Sequence, residues 1–381
     1  MPIIFVPKET QPGEHRVAAT PESIRRLIKG GYTVAVESKA GEGAHISDEE
    51  FASAGAGIAG AEGWSSAEII LKVAPPTIDE ASRIPAGALL ISFMAAHRNL
   101  DVVAVLAERN VSVLAMELIP RITRAQTMDA LSSQASIAGY KAVVLAAAKL
   151  GKYFPLLMTA AGTIAPARVV IMGAGVAGLQ AIATAKRLGA VVEVSDVRAA
   201  VKEQVESLGG RFIELPMTES AEGEGGYARE VSEDFLRKQR DLVAKHTEAA
   251  DVVITTALVP GKKAPLLVTE DTVRNMRTGS VIIDLAVEAG GNCSLSELDA
   301  EVVRHGVTII GHSNLPSTMA EDASVLYARN VLALLLHVRE GDRQVDPADE
   351  ITGATLLTHQ GEVVHGATAE LMKGEQTWAR S

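Results

Sequence analysis

The sequence predicts an α/β protein of two domains, each a mostly parallel sheet with flanking helices, joined by long bridging helices. Three observations lead there. The chain has 381 residues, more than one hydrophobic core usually organises. Hydrophobic residues make up 47% and aromatics only 3%, so the cores must be built from Ala, Val, Ile and Leu, which suits buried parallel strands under helices. Short β-branched runs also alternate with stretches of helical apolar spacing along most of the chain.

In chain order, Ile3–Val6, Thr33–Val36, Ile69–Val73, Leu89–Phe93 and Val111–Met116 read as strands, with helices at Pro21–Lys29 and Leu100–Glu108. From Met128 to Lys149 the sequence is Ala-rich, free of proline and has Gly139 as its single glycine, so a long helix is expected to leave this first unit. A second series follows, with strands at Arg168–Met172, Val191–Ser195, Arg211–Leu215, Asp251–Thr255, Ser280–Leu285 and Val307–Ile310. Six strands is the count of a full doubly wound sheet. Another helix, Ala323–Val338, is expected to carry the chain back. The expected division is therefore 1–130 with 320–381 as one domain and 131–319 as the other. The stretch Pro216–Asp234 is acidic, glycine-rich and almost without large apolar side chains, so it cannot be core, and Tyr227 within it favours a lid over a linker.

Charge and composition exclude several classes. Forty-seven acidic against 36 basic residues give a net charge of −11, the wrong balance for a nucleic-acid binder. Cys293 is the only cysteine, which rules out an internal disulfide and a cysteine-rich zinc site. No apolar run approaches the roughly 20 residues that span a bilayer, and the N-terminus does not read as a signal peptide. A soluble, cytoplasmic chain without direct membrane insertion is expected.

The sharpest motif is Gly173-Ala-Gly-Val-Ala-Gly178, which follows the strand Val169–Met172 and opens a helical stretch. In that context it reads as a Rossmann-type phosphate-binding turn: Gly173 for the tight turn, Gly175 for close approach of the pyrophosphate, Gly178 for helix–strand packing, with Val176 and Ala177 at the helix N-terminus. Both domains are then Rossmann-like, although the first lacks such a turn. Asp196 stands 18 residues beyond Gly178 at the end of the next strand, where a carboxylate accepts ribose hydroxyls and repels a 2′-phosphate. With Val197 and Arg198 it makes NAD(H) the expected ligand rather than NADP(H). Thr256, Ala257 and Leu258 in one strand-end loop, and Leu285 and Glu288 in the next, lie on the ligand-binding edge of such a sheet, and Asn292 is a candidate without a role.

Outside this unit, Arg121-Ile-Thr-Arg-Ala-Gln126-Thr-Met-Asp129, Ser132-Ser-Gln134 and Gly139-Tyr140 are dense in polar side chains. One account is helix capping by Thr127 or Asp129. The other is a loop in the cleft between the domains that holds a nicotinamide by hydrogen bonds.

These segments, with Gly162–Arg168, Gly178–Gly189, Lys202–Gly210 and Gly311–Pro316, resemble the proton-translocating NAD(P) transhydrogenases over nearly the whole chain. The likeness is to their NAD(H)-binding extramembrane component, domain I or the alpha-1 subunit. It implies that Arg121, Gln126 and Asp129 contact the nicotinamide end of NAD(H), that Ser132 and Tyr140 belong to the same site, and that Tyr227 is a mobile-loop tyrosine. It further implies a homodimer, NADP(H) on a partner subunit, a membrane proton-channel subunit, and a peripheral place on the cytoplasmic face of the inner membrane.

Alanine dehydrogenases share the fold and supply the competing expectation. Arg16 and Lys72 match their substrate-binding positions, but their catalytic histidine aligns with Phe93 and their catalytic aspartate with Glu288, and His97 is out of register. Oxidising an amino acid needs a general base. Hydride exchange between two nicotinamides needs none, only two rings held at near-attack distance in the absence of water.

Overall fold

The computed structural model describes residues 1–214, 233–258, 262–339 and 345–378. The chain divides into two compact units, Met1–Gln134 with Pro316–Ser381, and Ala135–Leu315. Both are α/β units of Rossmann-like type.

In the first unit, β1 (Ile3–Val6), β2 (Thr33–Glu37), β3 (Gly57–Ala59), β4 (Ile69–Leu71), β5 (Leu89–Ser92) and β6 (Ser112–Ala115) form a parallel sheet in the order β3-β2-β1-β4-β5-β6. Leu356–His359 adds to β6 antiparallel, and Glu362–Val363 closes that edge. Every residue of β4 and β5 is buried, which is why these strands read as unbroken apolar runs rather than alternating ones. Pro21–Lys29 is a helix as expected: Thr20 and Ser23 form a capping box, Pro21 occupies the first turn, and Gly30 follows the last residue. The buried helix residues Tyr327, Val331, Leu334 and Leu335 join the core on one face of the sheet. Phe5 meets Trp64 edge to face on the other.

In the second unit, β7 (Leu157–Thr159) and β8 (Gly162–Ile164) form a separate hairpin. The main sheet contains β9 (Arg168–Met172), β10 (Val191–Ser195), β11 (Arg211–Phe212), β12 (Val252–Thr255), β13 (Val281–Asp284), β14 (Ala300–Arg304) and β15 (Val307–Gly311). Its order is β11-β10-β9-β12-β13-β15-β14, parallel except for the edge strand β14. Numbering the parallel strands within each unit gives 3-2-1-4-5-6 twice, and in each the order reverses beside the first strand, where open sheets place ligands.

Several boundaries differ from expectation. β4 ends at Leu71 and β5 at Ser92, because Lys72 and Phe93 already belong to the loops at the carboxyl edge. The long helix starts at Ala130 rather than Met128, since Thr123–Met128 winds as a 3-10 turn and Asp129 precedes the first helical residue. Leu315–Met319 is also a 3-10 turn, so the chain re-enters the first unit before the helix Ala320–Val338 begins. Strands β3, β7, β8 and β14 were not expected; none carries a buried apolar run. Leu215 and most of the Pro216–Asp234 segment, Tyr227 included, lie outside the described residues.

Candidate functional site

Each glycine of the turn after β9 has a different geometric reason. Gly173 has φ +105°, and a Cβ there would strike the Thr256 hydroxyl. A Cβ on Gly178 would strike the Gly173 carbonyl, so only glycine lets the helix Val176–Arg187 begin so close to the strand. At Gly175 a Cβ would meet nothing within 4 Å. That glycine faces open space at a helix N-terminus, the arrangement a pyrophosphate requires. Val176, 44% exposed, flanks the opening. Gly139 packs against the Ala177 carbonyl so closely that a side chain would not fit, which fixes this part of the long helix against the same turn.

Asp196 sits just past β10 and is buried. Its Oδ2 accepts the Ala174 N–H at 2.7 Å, and Oδ1 accepts the Arg198 N–H at 2.9 Å. The Arg198 guanidinium adds a fork, Nε to Oδ1 at 2.9 Å and Nη2 to Oδ2 at 2.8 Å. Burial works against the charge, but Arg198 and the two backbone donors overcome it and hold the carboxyl below its ordinary range. Asp196 thus ties the β10 loop to the glycine turn, and ribose hydroxyls must share or displace the guanidinium. Val197 lies between them, half-buried.

The next two loops are bound to this one. The Thr256 hydroxyl lies 3.2 Å from the Met172 carbonyl and 3.1 Å from the Gly173 carbonyl. Ala257 is half-buried, Leu258 is exposed, Leu285 is half-buried, and Glu288 is exposed on a short 3-10 turn. Asp284 is a functional residue to which no role was given from sequence. Fully buried at the end of β13, it accepts the Thr255 and Ser296 hydroxyls and the N–H groups of Ala286, Asn292 and Cys293. Gly290 and Gly291, both at positive φ, turn the chain back to make this possible. An acidic residue closing an apolar strand was the available signal.

In the first unit, Asp129 accepts the Ser132 N–H at 2.9 Å and its hydroxyl at 2.6 Å, so the capping account of this residue is correct in the structure. Buried Ala125 and Met128 anchor the preceding turn, and Asn330 Nδ2 donates to the Thr127 carbonyl. Arg121 and Gln126 are exposed on it. Tyr140, 41% exposed, falls in the portion of the helix that belongs to the second unit.

Arg16 and Lys72 are both buried and both paired. Arg16 grips Glu14 through Nε at 2.8 Å and Nη2 at 2.6 Å, and gives Nη1 to Gln134 at 2.8 Å. Lys72 Nζ lies 3.0 Å from Glu9 and 3.5 Å from Glu80. Burial pushes the Glu9 carboxyl up, and Lys72 pulls it back. Glu9 follows β1 at the same distance as Gly175 follows β9, and its Oε1 accepts the Val73 N–H at 2.6 Å. Where the second unit leaves room for an anion, the first supplies one of its own. Phe93 packs on Tyr327, ring centroids 5.2 Å apart, and Tyr327 donates to the Lys72 carbonyl.

Residues 5–138 match the family model described as alanine dehydrogenase/PNT, N-terminal domain, and 142–366 match the model of its C-terminal domain. Over 376 residues the chain is 51% identical to the first of the separately encoded portions of the NAD(P) transhydrogenase alpha subunit of Rhodospirillum rubrum, covering 96% of this chain and 98% of that one. The crystal structure of a transhydrogenase from Sinorhizobium meliloti superposes with a TM-score of 0.87 at 45% identity, covering 95% of this chain and 99% of that one. Alanine dehydrogenase of Halomonas elongata is 30% identical over 388 residues, 99% of each chain.

Proposed function

Since the chain belongs to the alanine dehydrogenase/PNT family, among its NAD(P) transhydrogenase alpha subunits, we propose that it binds NAD(H) and exchanges hydride with NADP(H) held by a partner subunit. NADH + NADP+ gives NAD+ + NADPH: one hydrogen and two electrons move between ring carbons, and no proton is exchanged with a side chain. The observation that carries this reading is a glycine turn open at Gly175 in a chain whose aligned base position holds the hydrocarbon ring of Phe93. Lys72 and Arg16 are already neutralised by buried carboxylates, which supports a structural role for both.

The residues divide the work as follows. The helix N-terminus after Gly175 binds the pyrophosphate, and Asp196 takes the adenosine ribose. Thr256, Ala257, Leu258, Leu285 and Glu288 line the remainder. Arg121, Gln126, Asp129, Ser132 and Tyr140 orient the nicotinamide, and Tyr227 closes over it. Coupling to proton movement belongs to a membrane subunit; among the described residues no helix is long and apolar enough to cross a membrane. A homodimer, peripheral to the membrane through its partners, completes the reading.

The test is reconstitution. The isolated chain should bind NADH but show no transhydrogenation until a purified NADP(H)-binding subunit is added, after which stopped-flow mixing should report hydride transfer. Full activity from the chain alone, or NAD-linked oxidation of alanine, would overturn the proposal.

A further inference from the structure

Asn292 is fully buried, and both hydrogens of its Nδ2 are used: one goes to the Ala257 carbonyl at 2.9 Å, the other to the Pro265 carbonyl at 2.8 Å. Its Oδ1 accepts the Ala257 N–H at 3.1 Å. A donor and an acceptor side by side, matched to both polar atoms of one residue, are what a carboxamide offers and what no carboxylate, hydroxyl or hydrocarbon can reproduce. The backbone N–H of Asn292 is held by Asp284 at 2.9 Å. On the other side, Ala257 follows Thr256, whose hydroxyl reaches the Gly173 carbonyl. One continuous chain of contacts therefore joins the loops after β13, β12 and β9: Asp284 to Asn292, Asn292 to Ala257, Thr256 to Gly173.

We propose that Asn292 is a positioning residue for hydride transfer, acting through the Ala257 backbone rather than by touching NAD(H). The inference rests on the transhydrogenase reading. A buried carboxamide that fixes the β12 loop against the glycine turn keeps the ligand-facing backbone in one geometry, and near-attack alignment of two rings is sensitive to shifts of about 1 Å. Binding, which draws on the glycine turn and Asp196, depends on it less.

Asn292→Asp keeps the volume and the acceptor for Ala257 N–H, but sets a second carboxylate oxygen against two carbonyls. Asn292→Ala removes both bonds. With the NADP(H)-binding subunit present and NADH saturating, single-turnover transfer should slow by about tenfold or more in each variant, while the NADH dissociation constant stays within about threefold. Transfer by Asn292→Asp should also recover as pH falls from about 8 to about 6, because a protonated carboxyl regains a donor and burial raises its pKa, whereas the unmodified chain should not change in that window.

Unchanged transfer, equal losses in transfer and binding, or a pH-independent defect that tracks a fall in thermal midpoint would overturn the proposal. Should Asn292→Ala fail to fold, the isosteric Asn292→Asp carries the test. A parent chain that binds NADH yet transfers no hydride would overturn the transhydrogenase reading, and this inference with it.

Discussion

Asp196 meets the ribose with its oxygens already engaged by Arg198 and Ala174. Charge-assisted hydrogen bonds of this kind are worth about 1.5–3 kcal/mol each when broken. Asp196→Ala should therefore lower NADH affinity and narrow the preference over NADPH by about tenfold or more, read by fluorescence titration with both nucleotides; unchanged selectivity would place the ribose contact elsewhere. Arg121→Ala or Gln126→Ala should slow hydride transfer at saturating NADH by about tenfold or more and alter the dissociation constant little, because these exposed side chains are assigned to orienting the ring. A residue far from the site gives a pH signature. Asp349 caps the helix Glu350–Thr355 and pairs with His337 at 2.8 Å; burial opposes its charge, but the Thr352 N–H and His337 hold its carboxyl well below the usual range. A carboxyl depressed in the folded state stabilises above its unfolded pKa of about 4, and that contribution is lost as pH falls towards the folded value. Asp349→Ala should cost about 1 kcal/mol at neutral pH by urea unfolding, with the difference shrinking in stronger acid.

Among elements, the glycine turn separates folding from binding. Gly175→Ala meets no neighbour and should leave the thermal midpoint nearly unchanged while weakening NADH binding by about tenfold or more, since the added methyl occupies ligand space. Gly178→Ala drives a methyl into the Gly173 carbonyl and should destabilise the protein itself by about 1–3 kcal/mol. Equal thermal midpoints for the two variants would refute this division. The turn was legible in sequence because its chemistry is local: strand, three glycines, helix. So were β1, β9 and β10, whose ends coincide with their β-branched runs. Strand β14 was not, because its side chains are mostly exposed and only its antiparallel pairing with β15 makes it a strand. Nor could the spacing of Asp284 and Asn292 reveal that one feeds the other, or that Asn292 reaches Ala257, 35 residues away. Residue types announce what a group can do; tertiary pairing decides which group it does it to.

For the whole molecule, two α/β units and the ligand-bearing edge of the second were legible in the residues. Periodicity could not show that the first unit repeats the same strand order with its reversal point closed by Glu9, Lys72 and Val73. Lys72 suggested a substrate site only while its partners were unknown. Breaking such a buried pair is expensive: Glu9→Gln should destabilise the chain by about 3 kcal/mol in chemical denaturation, a loss that a substrate-binding lysine with an open partner position would not show. In the absence of other subunits the chain should sediment as two copies rather than one.

The self-filled crevice of the first unit also fixes a count. A sheet order used twice would, with two open reversal points, load two dinucleotides per polypeptide. With Glu9 seated in one of them, calorimetric titration should saturate at a single NADH per chain, so each polypeptide presents one nicotinamide, and a dimer would carry two independent donors.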